Sequence, residues 1–191
     1  EHGGGVVDMR DFLLERLRGD VNRLTDQQKL LVDATRANLL NQRRVHAAVL
    51  HMLSSPSLEA LVETITADLA VLLDLDAAIL LMEQRDGDVL ALGPAGVTMA
   101  ARGAVNRLLG RADVALRADI QGHADLWGDR AGTIRSEALV RLGFDNGNGE
   151  ETLGLLAFGS AEPAMFHPGQ ATDLLMFLAG VVERTIQRHL D

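Results

Sequence analysis

The chain opens with a heptad pattern of apolar residues that extends from residue 8 to residue 53. This segment holds no proline, and its apolar seam positions follow one another in steps of three and four. That 3.5-residue period makes helices supercoil around one another. We therefore predict a disordered start over residues 1–7 and a long dimerisation helix over residues 8–53. The dimer interface is predicted at Leu14, Leu17, Val21, Leu24, Leu31, Val45 and Val49.

The middle of this seam is polar, with Gln28, Thr35, Asn38 and Gln42 at seam positions. Polar seam residues can specify register and oligomeric state at some cost in stability. In the alternative interpretation, the middle of the helix bends or packs on its own domain. The sequence leaves both interpretations open.

Residues 54–191 alternate between helical and strand periodicity. A Ser-Ser-Pro-Ser break stands at residues 54–57. Serine caps a helix start and proline fits its first position, so we predict that a helix follows the break. The predicted elements are a helix over 57–73, strands over 77–83 and 89–92, a short helix over 100–109, strands over 114–117, 133–142 and 152–159, and a helix over 168–190. Short turns between successive strands predict hairpins. The expected fold is α+β, with an antiparallel sheet and its helices on one face.

Composition narrows the function classes. With 27 acidic and 18 basic residues the formal net charge is −9, so we expect neither nucleic acid nor an anionic membrane as a partner. Cysteine is absent, which excludes disulfides, thiolate nucleophiles and thioether attachment of a cofactor. No apolar run approaches the roughly 20 residues that span a bilayer. A soluble cytoplasmic protein is the expectation.

The positions of the candidate residues argue against motifs for catalysis or metal binding. The only lysine, Lys29, lies inside the heptad helix and cannot serve a phosphate-binding loop. His46 and His51 are five residues apart and do not share a helix face. No segment supplies a nucleophile, a base and an oxyanion hole together. We expect no enzyme activity, no catalytic residues, no metal and no cofactor.

The segment from residue 117 to residue 136 is the best candidate for a ligand pocket. It combines the only tryptophan with polar hydrogen-bonding groups, the composition that small-molecule pockets use for shape and orientation. The candidate ligand-binding residues are Arg117, His123, Trp127, Arg135 and Ser136. In the alternative interpretation, Trp127 fills the core and the arginines are solvated.

Several segments resemble a GAF domain. They are residues 57–83, the motif RSEALVRL at 135–142, the run LGLLAFGSAEP at 153–163, Phe166, and the apolar helix at 174–183. With the start VVDMRDF at residues 6–12, nearly the whole chain is similar to the proteobacterial family named domain of unknown function 484.

The resemblance implies a GAF-like domain over residues 54–191. GAF relatives bind cyclic nucleotides, tetrapyrroles, haem or small metabolites, and they commonly dimerise through flanking helices. This chain has neither a cysteine for bilin attachment nor the Asn-Lys-Phe-Asp-Glu motif of the cyclic-nucleotide-binding subset. The resulting hypothesis is a non-catalytic sensory module that binds an unknown small ligand and signals through a helical homodimer interface. The alternative is a structural adaptor that recruits a protein partner through its helices without any ligand.

Overall fold

The computed structural model describes residues 9–84, 96–145, 151–170 and 172–190, with side chains from residue 12 onward. The chain divides into two compact units, with the boundary between Gln42 and Arg43. Two predicted segments lie outside the described residues, the disordered start at residues 1–7 and the strand at residues 89–92.

The predicted long helix is confirmed as α1, Met9–Leu53. Many large apolar side chains of α1 are exposed in the first unit. This set consists of Phe12, Leu13, Leu14, Leu17, Val21, Leu24, Leu30, Leu31, Val32, Leu39 and Leu40. The predicted interface positions from Leu14 to Leu31 belong to this set. Helices in proteins gain most of their stability from packing of an apolar face, and in the first unit these side chains are exposed.

In the second unit the last turns of α1 pack on the domain. Val45, Ala48 and Met52 are buried in the main hydrophobic core, and Val49 packs against it. Val45 and Val49, which the heptad pattern assigned to the dimer interface, are therefore occupied by contacts within the chain. The heptad pattern could not separate the two uses, because a helix face that packs on its own domain has nearly the same period.

Two polar contacts hold the same turns. Arg44 Nη2 donates to Asp74 Oδ2 at 2.7 Å, and His51 Nε2 lies 3.1 Å from Asp68 Oδ2. The compact second unit thus begins at Arg43, inside the segment that the sequence assigned to dimerisation.

The second unit contains a five-stranded sheet in the order β2-β1-β5-β4-β3. After α1, the elements are α2 Leu58–Glu63, a π-helical turn Thr64–Asp68, α3 Leu69–Leu73, β1 Ala77–Glu83, β2 Val97–Ala100, α4 Ala104–Leu109, β3 Val114–Arg117, α5 Ala124–Trp127, a 3₁₀ turn Gly128–Arg130, β4 Ser136–Asp145, β5 Glu151–Ser160 and α6 Asp173–Leu190. The α+β class is confirmed.

One strand pair departs from the predicted antiparallel sheet. β1 pairs with β5 antiparallel but with β2 parallel, with Leu80 opposite Val97. A parallel return needs a connection of about a dozen residues or more, and residues 84–96 supply it. The edge strand β2, Val97–Ala100, was not predicted, because a pattern of four residues is too short to distinguish a strand from a loop.

Helices cover both faces of the sheet, whereas the sequence predicted one covered face. The end of α1 packs with α2, α3 and α6 on one face, against alternate strand residues such as Leu80, Val140 and Phe158. α4 and α5 pack on the other face, against Leu81, Leu139 and others. α4 lies within the short helix predicted over 100–109, whereas the single turn α5 was not predicted.

None of the described helices is long and apolar enough to cross a bilayer.

Candidate functional site

Trp127 is buried at the end of α5, on the sheet face that α4 also covers. α5 begins after His123, whose Nδ1 accepts a hydrogen bond from the Asp125 backbone amide at 3.3 Å. It ends at Gly128, where φ is +54°, a conformation that glycine adopts without steric cost. A one-turn helix between two such residues fixes the direction of the indole.

The indole fills the space above Gly159 of β5. A Cβ at that position would lie 2.8 Å from Trp127 Cη2 and 2.7 Å from Ile134 Cδ1. Only glycine permits this close approach of the ring to the strand. Trp127 is therefore part of the core.

A buried carboxylate, Glu137, receives the polar end of the indole. Its Oε2 accepts a hydrogen bond from Trp127 Nε1 at 2.7 Å, and its Oε1 accepts one from Arg117 Nη1 at 2.7 Å. The Glu137 side chain is 3% exposed and the Arg117 side chain 40%. Burying the carboxylate is tolerable because both oxygens have donors, one of them cationic.

Strand register produces this arrangement. Arg117 of β3 lies directly opposite Glu137 of β4, and side chains of directly opposite residues meet on the same face of a sheet. Arg117 Nη2 also donates to the Leu108 carbonyl oxygen in α4. The three side chains thus connect β3, β4, α4 and α5, and we refer to Arg117, Glu137 and Trp127 as the buried network.

The other predicted ligand residues lie elsewhere. His123 is exposed at the start of α5. Arg135 is exposed and closes a loop, with Nη2 donating to Asp119 Oδ1 at 2.8 Å and Nε to the Ile120 carbonyl oxygen at 3.1 Å. The Ser136 side chain is buried, and its Oγ donates to the Glu162 carbonyl oxygen at 2.6 Å.

The structure therefore joins two of the five predicted residues, Arg117 and Trp127, through a residue that the sequence analysis missed. Glu137 lay inside the quoted motif at residues 135–142, and an acidic residue in an apolar strand was the available signal. Ser136 and Glu137 are neighbours in a strand, so their side chains point to opposite faces.

The network offers little reactive chemistry. Both Glu137 oxygens are engaged, and the groups around it are an indole and a guanidinium, neither of which serves as a nucleophile. Within the described ranges no group of three or more His, Cys, Asp or Glu residues is placed to hold a metal ion. The arrangement ties α4 and α5 to the sheet through hydrogen bonds.

A family profile described as "Protein of unknown function, DUF484" matches residues 1–191, the whole length of the chain. The chain belongs to the DUF484 family. A search of curated proteins found no match for it. The description of DUF484 names no activity, so function has to be argued from the exposed helix and the buried network.

Proposed function

We propose that this chain is a non-catalytic, cytoplasmic regulatory adaptor of GAF-like architecture, which works as a homodimer and signals by direct contact with a protein partner. The α+β architecture supports the GAF-like part of the proposal. One observation carries the homodimer part of the proposal, namely the row of exposed apolar side chains on the first unit's part of α1.

The exposed row is large enough to sustain an association. Complete burial of one leucine or valine side chain contributes about 1.5–3 kcal/mol, and Leu14, Leu17, Val21, Leu24 and Leu31 are 50–70% exposed. Association costs about 4–15 kcal/mol in lost translational and rotational freedom. Five or more such residues on each of two copies offset that cost, whereas a few scattered leucines would not.

The internal engagement of the predicted ligand residues favours an adaptor over a ligand receptor. Arg117 and Trp127 share Glu137, while Arg135 and Ser136 bond to the backbone of neighbouring loops. Because these groups already have partners, a ligand would have to displace a hydrogen bond at each of them. The domain then acts as a rigid body that the helix pair presents to another protein.

Light scattering coupled to gel filtration tests the dimer. We expect about twice the chain mass of 20.5 kDa. The double variant Leu17→Glu/Leu24→Glu should elute as a monomer at micromolar concentration, because it places four charges in the interface.

The matched control is Leu30→Glu/Leu40→Glu. Leu30 is 71% exposed and Leu40 is 53% exposed, but neither lies on the face of α1 that carries Leu17 and Leu24. This variant should stay dimeric with an unchanged far-UV circular dichroism spectrum. A monomeric unmodified protein would refute the proposal, and so would equal loss of the dimer in both variants.

A small-ligand sensor is a second candidate, and the charged acceptor Glu137 is the observation that supports it. Glu137 lies beneath two short elements, α5 and the 3₁₀ turn. A ligand with N–H donors would take the place of the indole on Glu137. It would couple to the dimer only if its affinity differed between two arrangements of the domain.

Tryptophan fluorescence tests the sensor directly, because Trp127 is the only tryptophan. A ligand that displaces the indole into water should shift the emission to longer wavelength and raise the melting temperature. The variant Glu137→Gln should weaken the response at least tenfold. A metabolite panel that changes neither signal would leave the adaptor as the supported function.

A further inference from the structure

Eight apolar residues of α1 form a single straight stripe. At 3.6 residues per turn each residue turns the helix by about 100°, which places all eight within an arc of about 100°. The stripe consists of Leu13, Leu14, Leu17, Val21, Leu24, Leu31, Val32 and Leu39, each 41–70% exposed. We call these eight residues the α1 stripe; from Leu13 to Leu39 it is about 39 Å long.

Both flanks of the stripe carry cations. By the same rotation, Arg18, Lys29 and Arg36 fall along one flank. Arg16, Asp20 and the amides of Gln27 and Asn38 fall along the other, where Asp20 is paired with Arg23 at 3.1 Å. In a parallel pair of helices each flank faces the opposite flank of the partner, whereas in an antiparallel pair it faces the same flank.

We propose that a second copy of this chain packs on the α1 stripe in parallel and in register. The inference rests on the proposed homodimer and adds its geometry. Parallel packing brings Arg18 of one copy near Arg16 of the other, and antiparallel packing brings Arg18 near Arg36 of the other. A pair of unit charges 10 Å apart in water costs about 0.4 kcal/mol, so the flanking charges do not decide between the two arrangements.

Gln28, which lies within the arc of the stripe, favours the parallel arrangement. In register, its amide lies opposite the same amide of the second copy, and the two can hydrogen bond to each other. An antiparallel pair that overlaps the whole stripe is centred on Asp26, so that Gln28 lies opposite Leu24 and Thr35 opposite Leu17. A buried amide without a partner costs about 1–3 kcal/mol, and this arrangement buries two of them.

Thr35 is neutral in this comparison, because its Oγ1 already donates to the Leu31 carbonyl oxygen at 2.8 Å within the helix. Thr35→Cys therefore removes no leucine from the stripe and no hydrogen bond between copies. It is the least disruptive position at which to test the orientation.

The absence of cysteine from the chain allows a clean cross-linking experiment. The variants are Thr35→Cys, Leu17→Cys and, as a control on the opposite side of α1, Asp26→Cys. A disulfide requires Cα atoms about 4.4–6.8 Å apart. Equivalent Thr35 positions meet this requirement in a parallel pair and are about 27 Å apart along the axis in the antiparallel one.

For Thr35→Cys and for Leu17→Cys, we expect more than half of the protein to form disulfide-linked dimers of two identical chains. For Asp26→Cys, we expect only a small fraction to do so. If the protein is dimeric by light scattering under reducing conditions but cross-links only in a mixture of the two seam variants, the parallel arrangement is wrong. A dimer that forms none of these disulfides also overturns it. A reduced, unmodified protein that is monomeric overturns the proposed homodimer itself, so the two failures can be told apart.

Discussion

Replacing Glu137 with methionine should destabilise the second unit by about 1–4 kcal/mol. The change keeps the length of the side chain and removes the acceptor of two hydrogen bonds, from Trp127 Nε1 and Arg117 Nη1. Trp127 is 3% exposed, so its N–H would be left buried without a partner, at a cost of about 1–3 kcal/mol. Arg117 is 40% exposed and can turn into water, so its share is below about 1 kcal/mol.

Urea denaturation followed by far-UV circular dichroism at 222 nm measures this loss. For a chain of this size, 1 kcal/mol corresponds to about 2–4 °C in melting temperature, so thermal denaturation should show a decrease of about 2–16 °C. The control is Glu151→Met at the exposed start of β5, where the same substitution should change stability by less than about 0.5 kcal/mol.

A double-mutant cycle with Trp127→Phe separates the hydrogen bond from general damage to the core. Phenylalanine lacks the indole N–H, so Glu137→Met should cost at least about 1 kcal/mol less in that background. The reasoning is refuted if the two substitutions are additive within error, or if Glu137→Met alone leaves stability unchanged.

The remaining predictions concern two glycines and one carboxylate. Gly159→Ala should cost about 1–3 kcal/mol and shift the emission of Trp127, because its Cβ would lie 2.8 Å from the ring; an unchanged spectrum would contradict this. The same substitution at Gly180 of α6, where a Cβ meets nothing within 4 Å, should instead stabilise by about 0.5–1 kcal/mol in urea denaturation. At Glu59, the hydrogen bond from its own backbone and then that from the Ser57 hydroxyl lower the pKa below the usual 4.5. The stabilisation from a lowered pKa is complete above pH 4.5 and is lost as the pH falls through the lowered value, so the stability difference between the protein and Glu59→Gln should shrink from pH 7 to pH 3; a constant difference would argue against this cause.

Local patterns of the sequence predicted most of the secondary structure. β1 and β3 have the predicted bounds, and α1 ends at the predicted residue. These elements carry their signal within a few residues, either as an uninterrupted apolar run or as a helical repeat. The heptad repeat in the first part of α1 is a signal of the same kind, since it predicted a long helix with an apolar stripe from the local sequence alone.

Only the tertiary structure decided the rest, because each of these features depends on residues that are far apart in sequence. Val45 of α1 packs into the core of its own domain. β2 pairs in parallel with β1 after a connection of thirteen residues, 84–96. α4 and α5 cover the second face of the sheet. The candidate site follows the same rule. Trp127 and Arg117 were recognised as residue types, but Glu137 joins them only through the register of β3 on β4. A shift of one residue in that register would turn the carboxylate to the opposite face, and residue periodicity along a single strand does not specify which partner residue lies across from it.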